Sequence, residues 1–381
     1  MTAMRIIIGG DLVPTKTNYD LFAESDVQTL IGKDLQVYLN AADYRIFNLE
    51  VPLVDEENPI SKAGPNLIAP IRTIAGIKNI GTDFLTLANN HILDQGEHGL
   101  FSTLEVLNRV DIAYAGAGKT PIDAAKPHIF ERNGIKVGIY CCAEHEFTIV
   151  DELSAGANPF DPLVSLDHIS DLKKQVDYVI VLHHGGKEHY RYPSPNLQKL
   201  CRRIIDKGAD LVICQHTHCV GCEEKWNGGT IVYGQGNFLF DNCDNEFWQT
   251  SVLVEVEIGQ DFLVKYIPIE KRGNIVRWAK NRLDILEGLE QRSKDIQDDK
   301  FIQTQYKKYA TSMLKGYLLH IQGKETFIFR VINKLSGGYL REHKNEYLYS
   351  KWHYNAIRNY VECEAHRELL LTGVKEKANQ L

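Results

Sequence analysis

No window of this 381-residue chain approaches the roughly 18 consecutive apolar residues of a membrane span, so no transmembrane helix is expected. Its first residues, M-T-A-M-R-I-I-I-G-G-D, lack the apolar core of a signal peptide, because the run ends after a few residues at Asp11. A cytoplasmic location is the expectation that follows. Excess positive charge is missing too. The formal net charge of −7 argues against a general nucleic-acid or anionic-membrane surface. There is no internal repeat, no low-complexity tract and no G-x-S-x-G elbow, which leaves a serine-hydrolase reading without support. Eight cysteines in a chain this long make no disulfide framework. Cys141 and Cys142 sit in an apolar run as small hydrophobes. Cys214, Cys219 and Cys222 contain one C-x-x-C with no second half, and are read as reduced, non-ligating thiols. The run Ala115–Thr120 ends in G-K-T, but Ala113 stands where a phosphate-binding loop needs its first glycine, so a tight loop is expected instead.

What is present is an ordinary globular composition, 44% apolar and 24% charged, in a chain too long for one typical core. From residue 5 to about 275, strand-like runs alternate with helix-like segments, the signature of layered α/β architecture. Leu100, Leu104 and Leu107 predict a helix over 95–109. Pro195 and Gly208 bracket another, with Leu197, Leu200, Cys201, Ile204 and Ile205 on one face. Runs at 251–258 and 262–270 alternate at period two around Gly259-Gln260-Asp261 and predict an antiparallel hairpin, so the sheets are mixed. The expected division is a main domain over 1–275 and a helical extension over 276–381. Within that extension, the aromatic stretch Tyr347, Leu348, Tyr349, Trp352 and Tyr354 either packs on the main domain or meets a protein partner.

Six apolar runs end abruptly in metal-ligating residues: at Asp11, at Asn48 and Glu50, at Asn89, Asn90 and His91, at His183 and His184, at His216 and His218, and at Asn237. Short β-branched runs are buried strands, and in α/β sheets chemistry gathers beyond the strands' carboxyl ends. One Asp, one Glu, several amides and several His delivered to one edge make a nitrogen/oxygen metal site. The one-residue gap in Asn48-Leu49-Glu50 sends both polar side chains the same way, and Glu50 is the natural bridge between two cations. His183 and His184 alternate, so only one reaches the site. His216 and His218, two apart at a strand end, are read as pointing to one side.

The stretches G-G-D-L, N-L-E-V-P-L, L-A-N-N-H-I-L-D-Q-G, H-G-G-K-E, G-A-D-L-V-I-C-Q-H-T-H and I-V-Y-G-Q-G-N-F-L-F-D, in this order over residues 4–270, resemble the CapA-type (poly-γ-glutamate capsule synthesis) family of the calcineurin-like metallophosphoesterase superfamily. The resemblance implies a four-layer α/β/β/α sandwich. It implies that Asp11, Glu50 and His218 hold one metal, and Glu50, Asn90, His184 and His216 a second. His91 would be the proton donor or stabiliser beside the phosphate. Asn48 and Asn89 would be supporting or substrate contacts, with Asn237, Asp241, Glu188 and His189 at the rim. Two departures stand out. Asp11-Leu12-Val13 replaces the superfamily's D-x-H, and N-L-E replaces G-D-x-x-D. The first removes a histidine ligand, so either two divalent ions (Mn, Fe or Zn) or a single one is expected.

The leading functional expectation is metal-dependent hydrolysis of a phosphomonoester or phosphodiester by a metal-activated hydroxide, acting on a phosphorylated small molecule or a cell-surface polymer intermediate. The alternatives are attack on an amide or γ-glutamyl polymer at the same metal site, and a non-catalytic accessory role in polyglutamate or capsule synthesis, with the C-terminal helices meeting a protein partner.

Overall fold

In the computed structural model, which describes residues 3–241, 245–322, 327–339 and 349–380, the apolar runs are strands in two mixed sheets. In chain order the strands are β1 (Met4–Leu12), β2 (Tyr44–Leu49), β3 (Phe84–Thr86), β4 (Ala113–Ala115), β5 (Ala117–Gly118), β6 (His128–Arg132) and β7 (Ile135–Ala143). They continue as β8 (Gly156–Ala157), β9 (Tyr178–His184), β10 (Leu211–Gln215), β11 (Glu223–Trp226), β12 (Gly229–Val232), β13 (Thr250–Ile258), β14 (Phe262–Arg272) and β15 (Ile275–Trp278). One sheet runs β15-β14-β13-β1-β2-β3-β4 and the other β11-β12-β10-β9-β7-β6, while β5 and β8 form a small pair.

Period-two alternation sorts these strands into layers. Ile6 and Ile8 of β1, Tyr44 and Ile46 of β2, Ile180 and Leu182 of β9, and Leu211 and Ile213 of β10 fill one core between the sheets. The residues between them face outward. Ile7, Phe47 and Leu85 pack under the helices of the first third of the chain. Val179, Val181, Val212 and Cys214 pack under helices Ser165–Lys173 and Pro195–Asp206. The result is the expected α/β/β/α sandwich. The hairpin and both predicted helices are present, the latter as Gly96–Val110 and Pro195–Asp206, with Ser194 capping the second. The G-K-T segment is a turn whose Thr120 caps the short helix Pro121–Ala125.

The same parity explains where the functional side chains go. Asn48 continues the inward face of Ile46, and His184 that of Leu182, whereas His183 continues the outward face and lies beside Cys142 and Phe160. Asp11 would face outward by simple alternation. In the parallel register Ile8 opposes Ile46 and Asp11 opposes Asn48, so β1 spends three residues where β2 spends two. This one-residue bulge at Gly9-Gly10 reverses the parity, so that Leu12 joins the outer core and Asp11 turns inward. Gly10 is required there because a Cβ would come within 1.9 Å of the Gly236 carbonyl oxygen. Gly10→Ala should therefore destabilise the fold by about 1–3 kcal/mol, read as a lowered midpoint in chemical unfolding.

Strand β15 pairs with β14, so sheet structure runs past the boundary expected at residue 275. Beyond it come helices Arg282–Asp295, Asp299–Gln322, Phe327–Leu335, Lys351–Glu362 and Glu364–Ala378. Tyr306, Ala310, Tyr317 and Leu369 of this extension bury against Tyr190 of the sandwich. The Glu368 carboxylate accepts bonds from the Ser194 hydroxyl and the Asn196 amide (3.0 Å), a favourable place for a negative charge at a helix N-terminus. Of the aromatic stretch, Tyr347 and Leu348 lie outside the described residues. Tyr349 bonds the Ile321 carbonyl, Trp352 packs on His320, and Tyr354 is half exposed. No helix among the described residues is long and apolar enough to cross a membrane.

Candidate metal centre

The carboxyl ends of β1, β2, β9 and β10, with the turn after β3, converge at the mouth of the inter-sheet core. His218 Nδ1 lies 3.2 Å from Asp11 Oδ2 and 2.8 Å from Asn237 Oδ1. His184 Nε2 lies 3.2 Å from Glu50 Oε1, 3.0 Å from Asn90 Oδ1 and 3.1 Å from His216 Nδ1. One donor atom from each of Glu50, His216 and His218 falls within 4.8 Å of the others. Asp11, Glu50, Asn90, His184, His216 and His218 thus form one contiguous set of side chains.

The two histidines of H-T-H arrive differently from the sequence expectation. Strand β10 ends at Gln215, so strand alternation does not aim them. His216 and His218 instead adopt left-handed backbone, with φ of 80° and 53°, and His189 does the same at 60°. Such conformations cost non-glycine residues about 1–3 kcal/mol each and persist where the surroundings impose them.

Burial sets the electrostatics. Glu50 is fully buried and neither carboxylate oxygen receives a hydrogen bond, although His184 is near one of them. Desolvation, reinforced by the Asp11 charge, pushes its pKa up. Desolvation also pushes His184 down to about 4 and His216 down to about 3, so both are neutral imidazoles with lone pairs to offer at neutral pH. Burial opposes charge on His218 as well, but the hydrogen bond to Asp11 and the charges of Glu50 and Asp11 outweigh it and push its pKa up. In the metal-free protein the His218 proton answers the Asp11 carboxylate that it bonds. An unsatisfied buried carboxylate ringed by neutral imidazoles and an amide oxygen is the donor chemistry of a divalent transition ion, and these residues fit one.

Around this set, several side chains act as supports. Asn48 donates to Asp11 Oδ1 at 2.7 Å and sits 3.2 Å from His184 Nδ1, and Asn89 donates to Asn48 and to the Leu49 carbonyl. Asn48 and Asn89, expected as supporting or substrate contacts, and Asn237, expected at the rim, are fully enclosed. At the rim, Glu188 is 42% exposed and reaches to 3.9 Å from His216 Nε2. His189 accepts a bond from Trp248 Nε1 at 2.8 Å and stacks on Phe247. With Phe240 and Trp248 against His218, this makes an aromatic wall that the sequence reading did not anticipate. Asp241 is bound by the Thr17 hydroxyl.

A second omission lies beside His91. Its Nδ1 is 2.5 Å from Asp94 Oδ2, and the other Asp94 oxygen pairs with buried Lys62, which also bonds the Asn90 carbonyl. The H-x-x-D spacing is visible in the sequence, because a turn brings residues three apart together, whereas Lys62 carries no such signal. Glu146, also missed, accepts from Asn90 Nδ2 at 3.0 Å.

The family model described as "Bacterial capsule synthesis protein PGA_cap" matches residues 5–242. The capsule biosynthesis protein CapA of Bacillus anthracis is 33% identical over 220 residues, covering 55% of this chain and 54% of that protein. The PGA biosynthesis protein CapA of Bacillus subtilis strain 168 is 29% identical over 205 residues, covering 53% and 54%. The chain therefore spans about half the length of these relatives. Among solved structures, a novel phosphatase from Mycoplasma pneumoniae aligns with a TM-score of 0.45 and 15% identity, over 74% of this chain and 97% of that one. A 5'-nucleotidase from Candida albicans aligns with a TM-score of 0.39 and 12% identity, over 89% of this chain and 58% of that one.

Proposed function

This chain belongs to the bacterial capsule synthesis protein family PGA_cap, and on that premise we propose that it is a metal-dependent phosphoester hydrolase serving capsule or cell-surface polymer metabolism. The observation that carries this reading is the buried, unsatisfied Glu50 carboxylate among His184, His216 and His218. Asp11, Glu50 and His218 would hold one divalent ion, and Glu50, Asn90, His184 and His216 another. Such ions supply acidified water and neutralise charge on phosphate oxygens. Manganese, iron and zinc suit this nitrogen/oxygen set better than calcium or magnesium.

The chain's own residues do the rest. Asn48 fixes the Asp11 carboxylate and His184 ring against rotation. Asp94 accepts from His91 Nδ1, which orients the ring and leaves Nε2 to donate a proton to the leaving oxygen. Lys62 pairs with the other Asp94 oxygen and holds the carboxylate in place. The aromatic wall of Trp248, Phe240 and His189 shields one side of the centre from water.

The test is turnover of an aryl phosphomonoester and diester with added Mn²⁺. Hydrolysis should depend on the metal, and full activity after dialysis against a strong chelator would overturn the reading. His91→Asn should lower kcat by about 10²–10⁴-fold, and Asp94→Asn should lower it in the same direction by less, both measured by steady-state kinetics. The names of the Bacillus relatives motivate a second reading, attack on a γ-glutamyl amide at the same centre. Parallel assays on γ-glutamyl oligomers separate the two.

A further inference from the structure

A second cluster of donors lies where the C-terminal extension meets the rim. Cys363 is fully buried at the junction of helices Lys351–Glu362 and Glu364–Ala378, with Sγ 3.7 Å from Glu144 Oε2. His366, on the first turn of the second helix, places Nε2 3.9 Å from Glu146 Oε1. Its other nitrogen, Nδ1, is 2.5 Å from the Tyr317 hydroxyl, which sets the ring so that Nε2 faces the carboxylate. One donor atom from each of Glu146, Cys363 and His366 lies within 4.8 Å of the others.

We propose that Glu146, Cys363 and His366 form a second metal site, for a divalent ion of the zinc class, which fastens the extension to the rim of the first centre. In a tetrahedral zinc site with bonds of about 2.0–2.3 Å, neighbouring ligand atoms are about 3.3–3.8 Å apart. Closing from the present spacing takes small side-chain movements. Glu144 touches only the sulfur of this set, so water would complete the tetrahedron. The donor set of sulfur, imidazole and carboxylate favours zinc over magnesium, calcium or manganese, whereas the first centre holds no sulfur. The Tyr317 bond to the far side of the His366 ring is the support that ligating histidines ordinarily have. Binding converts the Cys363 thiol to thiolate, its proton passing to solvent. Glu146 touches both sites, because its other oxygen accepts from Asn90. Cys363 and His366 lie outside residues 5–242, so two of the three ligands come from the extension and Glu146 comes from the matched region.

The test uses the full chain, stripped of metal and reconstituted with Co²⁺. A cobalt–thiolate charge-transfer band in the near ultraviolet should appear in the wild type and in His218→Ala. It should vanish in Cys363→Ser, with bound metal falling by one ion per chain. Tyr317→Phe should weaken zinc affinity by about 10–100-fold. A wild type with no thiolate band, or a band that survives Cys363→Ser, overturns the proposal and leaves a purely hydrogen-bonded latch. The wild-type measurement does not depend on any variant folding. No readout uses phosphoester turnover, so loss of the hydrolase reading would leave this result standing.

Discussion

Glu50→Gln should abolish metal-dependent phosphoester turnover and yet leave the metal-free protein more stable than the wild type. The loss follows from the position of Glu50 between the two proposed ligand groups. Removing its charge withdraws a donor from both, and a fall on the order of 10³-fold or more is expected. The gain follows from burial. With no hydrogen bond to either oxygen, the ionised carboxylate is costly in the folded state, so its pKa is raised. A carboxyl whose folded pKa exceeds its unfolded value of about 4.3 loses stability as pH rises between those two values. The amide has no such dependence. In chelator, Glu50→Gln should exceed the wild type by about 1–3 kcal/mol at pH 8, and by less at pH 5, in denaturant titrations. Turnover within tenfold of the wild type, or a destabilised metal-free variant, would contradict the role assigned to Glu50.

The second large effect concerns Lys271 on β14. It is 7% exposed, with the Ser251 hydroxyl 3.4 Å from Nζ. Burial pushes its pKa down to about 7, against the pull of the Asp11 charge. The unfolded chain takes up this proton below about 10.4, but the folded chain does so only near 7. Between those values the unfolded state binds more protons, so stability rises with pH and is lowest at and below neutrality. Lys271→Met should remove that slope and add stability at pH 7 on the order of 3–5 kcal/mol, each unit of displacement being worth about 1.4 kcal/mol. Unfolding midpoints at pH 6, 8 and 10 check this. If the wild-type and Lys271→Met curves stay parallel across that range, Lys271 is not held neutral by burial.

Much of the candidate site was legible because the relevant signals are local. An apolar run ending in Asn48 or His184 reports a buried strand and its carboxyl end at once; period two limited the site to one of His183 and His184, and the family resemblance named His184. Other features resisted for physical reasons. Asp11 faces inward only because a bulge at Gly9-Gly10 reverses strand parity, and the carbonyl that leaves room for nothing but glycine there belongs to Gly236, far away in the chain. His216 and His218 reach the centre through left-handed backbone rather than strand alternation. Asp94 was available as H-x-x-D, but nothing in the sequence marks its partner Lys62. The aromatic wall comes from a short helix over Glu246–Gln249 and from Phe240, whose hydrophobic character reads equally well as core.

The sequence by itself determined the layered α/β class, the helix limits at Pro195 and Gly208, the hairpin, and the inventory of nitrogen and oxygen donors. Each of these depends on residues only a few positions apart, where periodicity and backbone preference act directly. Tertiary structure alone decided which donors meet, which are stripped of water, and that Glu146 stands beside Cys363 and His366, more than two hundred residues later. Those outcomes depend on how two sheets stack and where the last helices dock. Such distances are set by the packing of the whole core, and no local pattern encodes them.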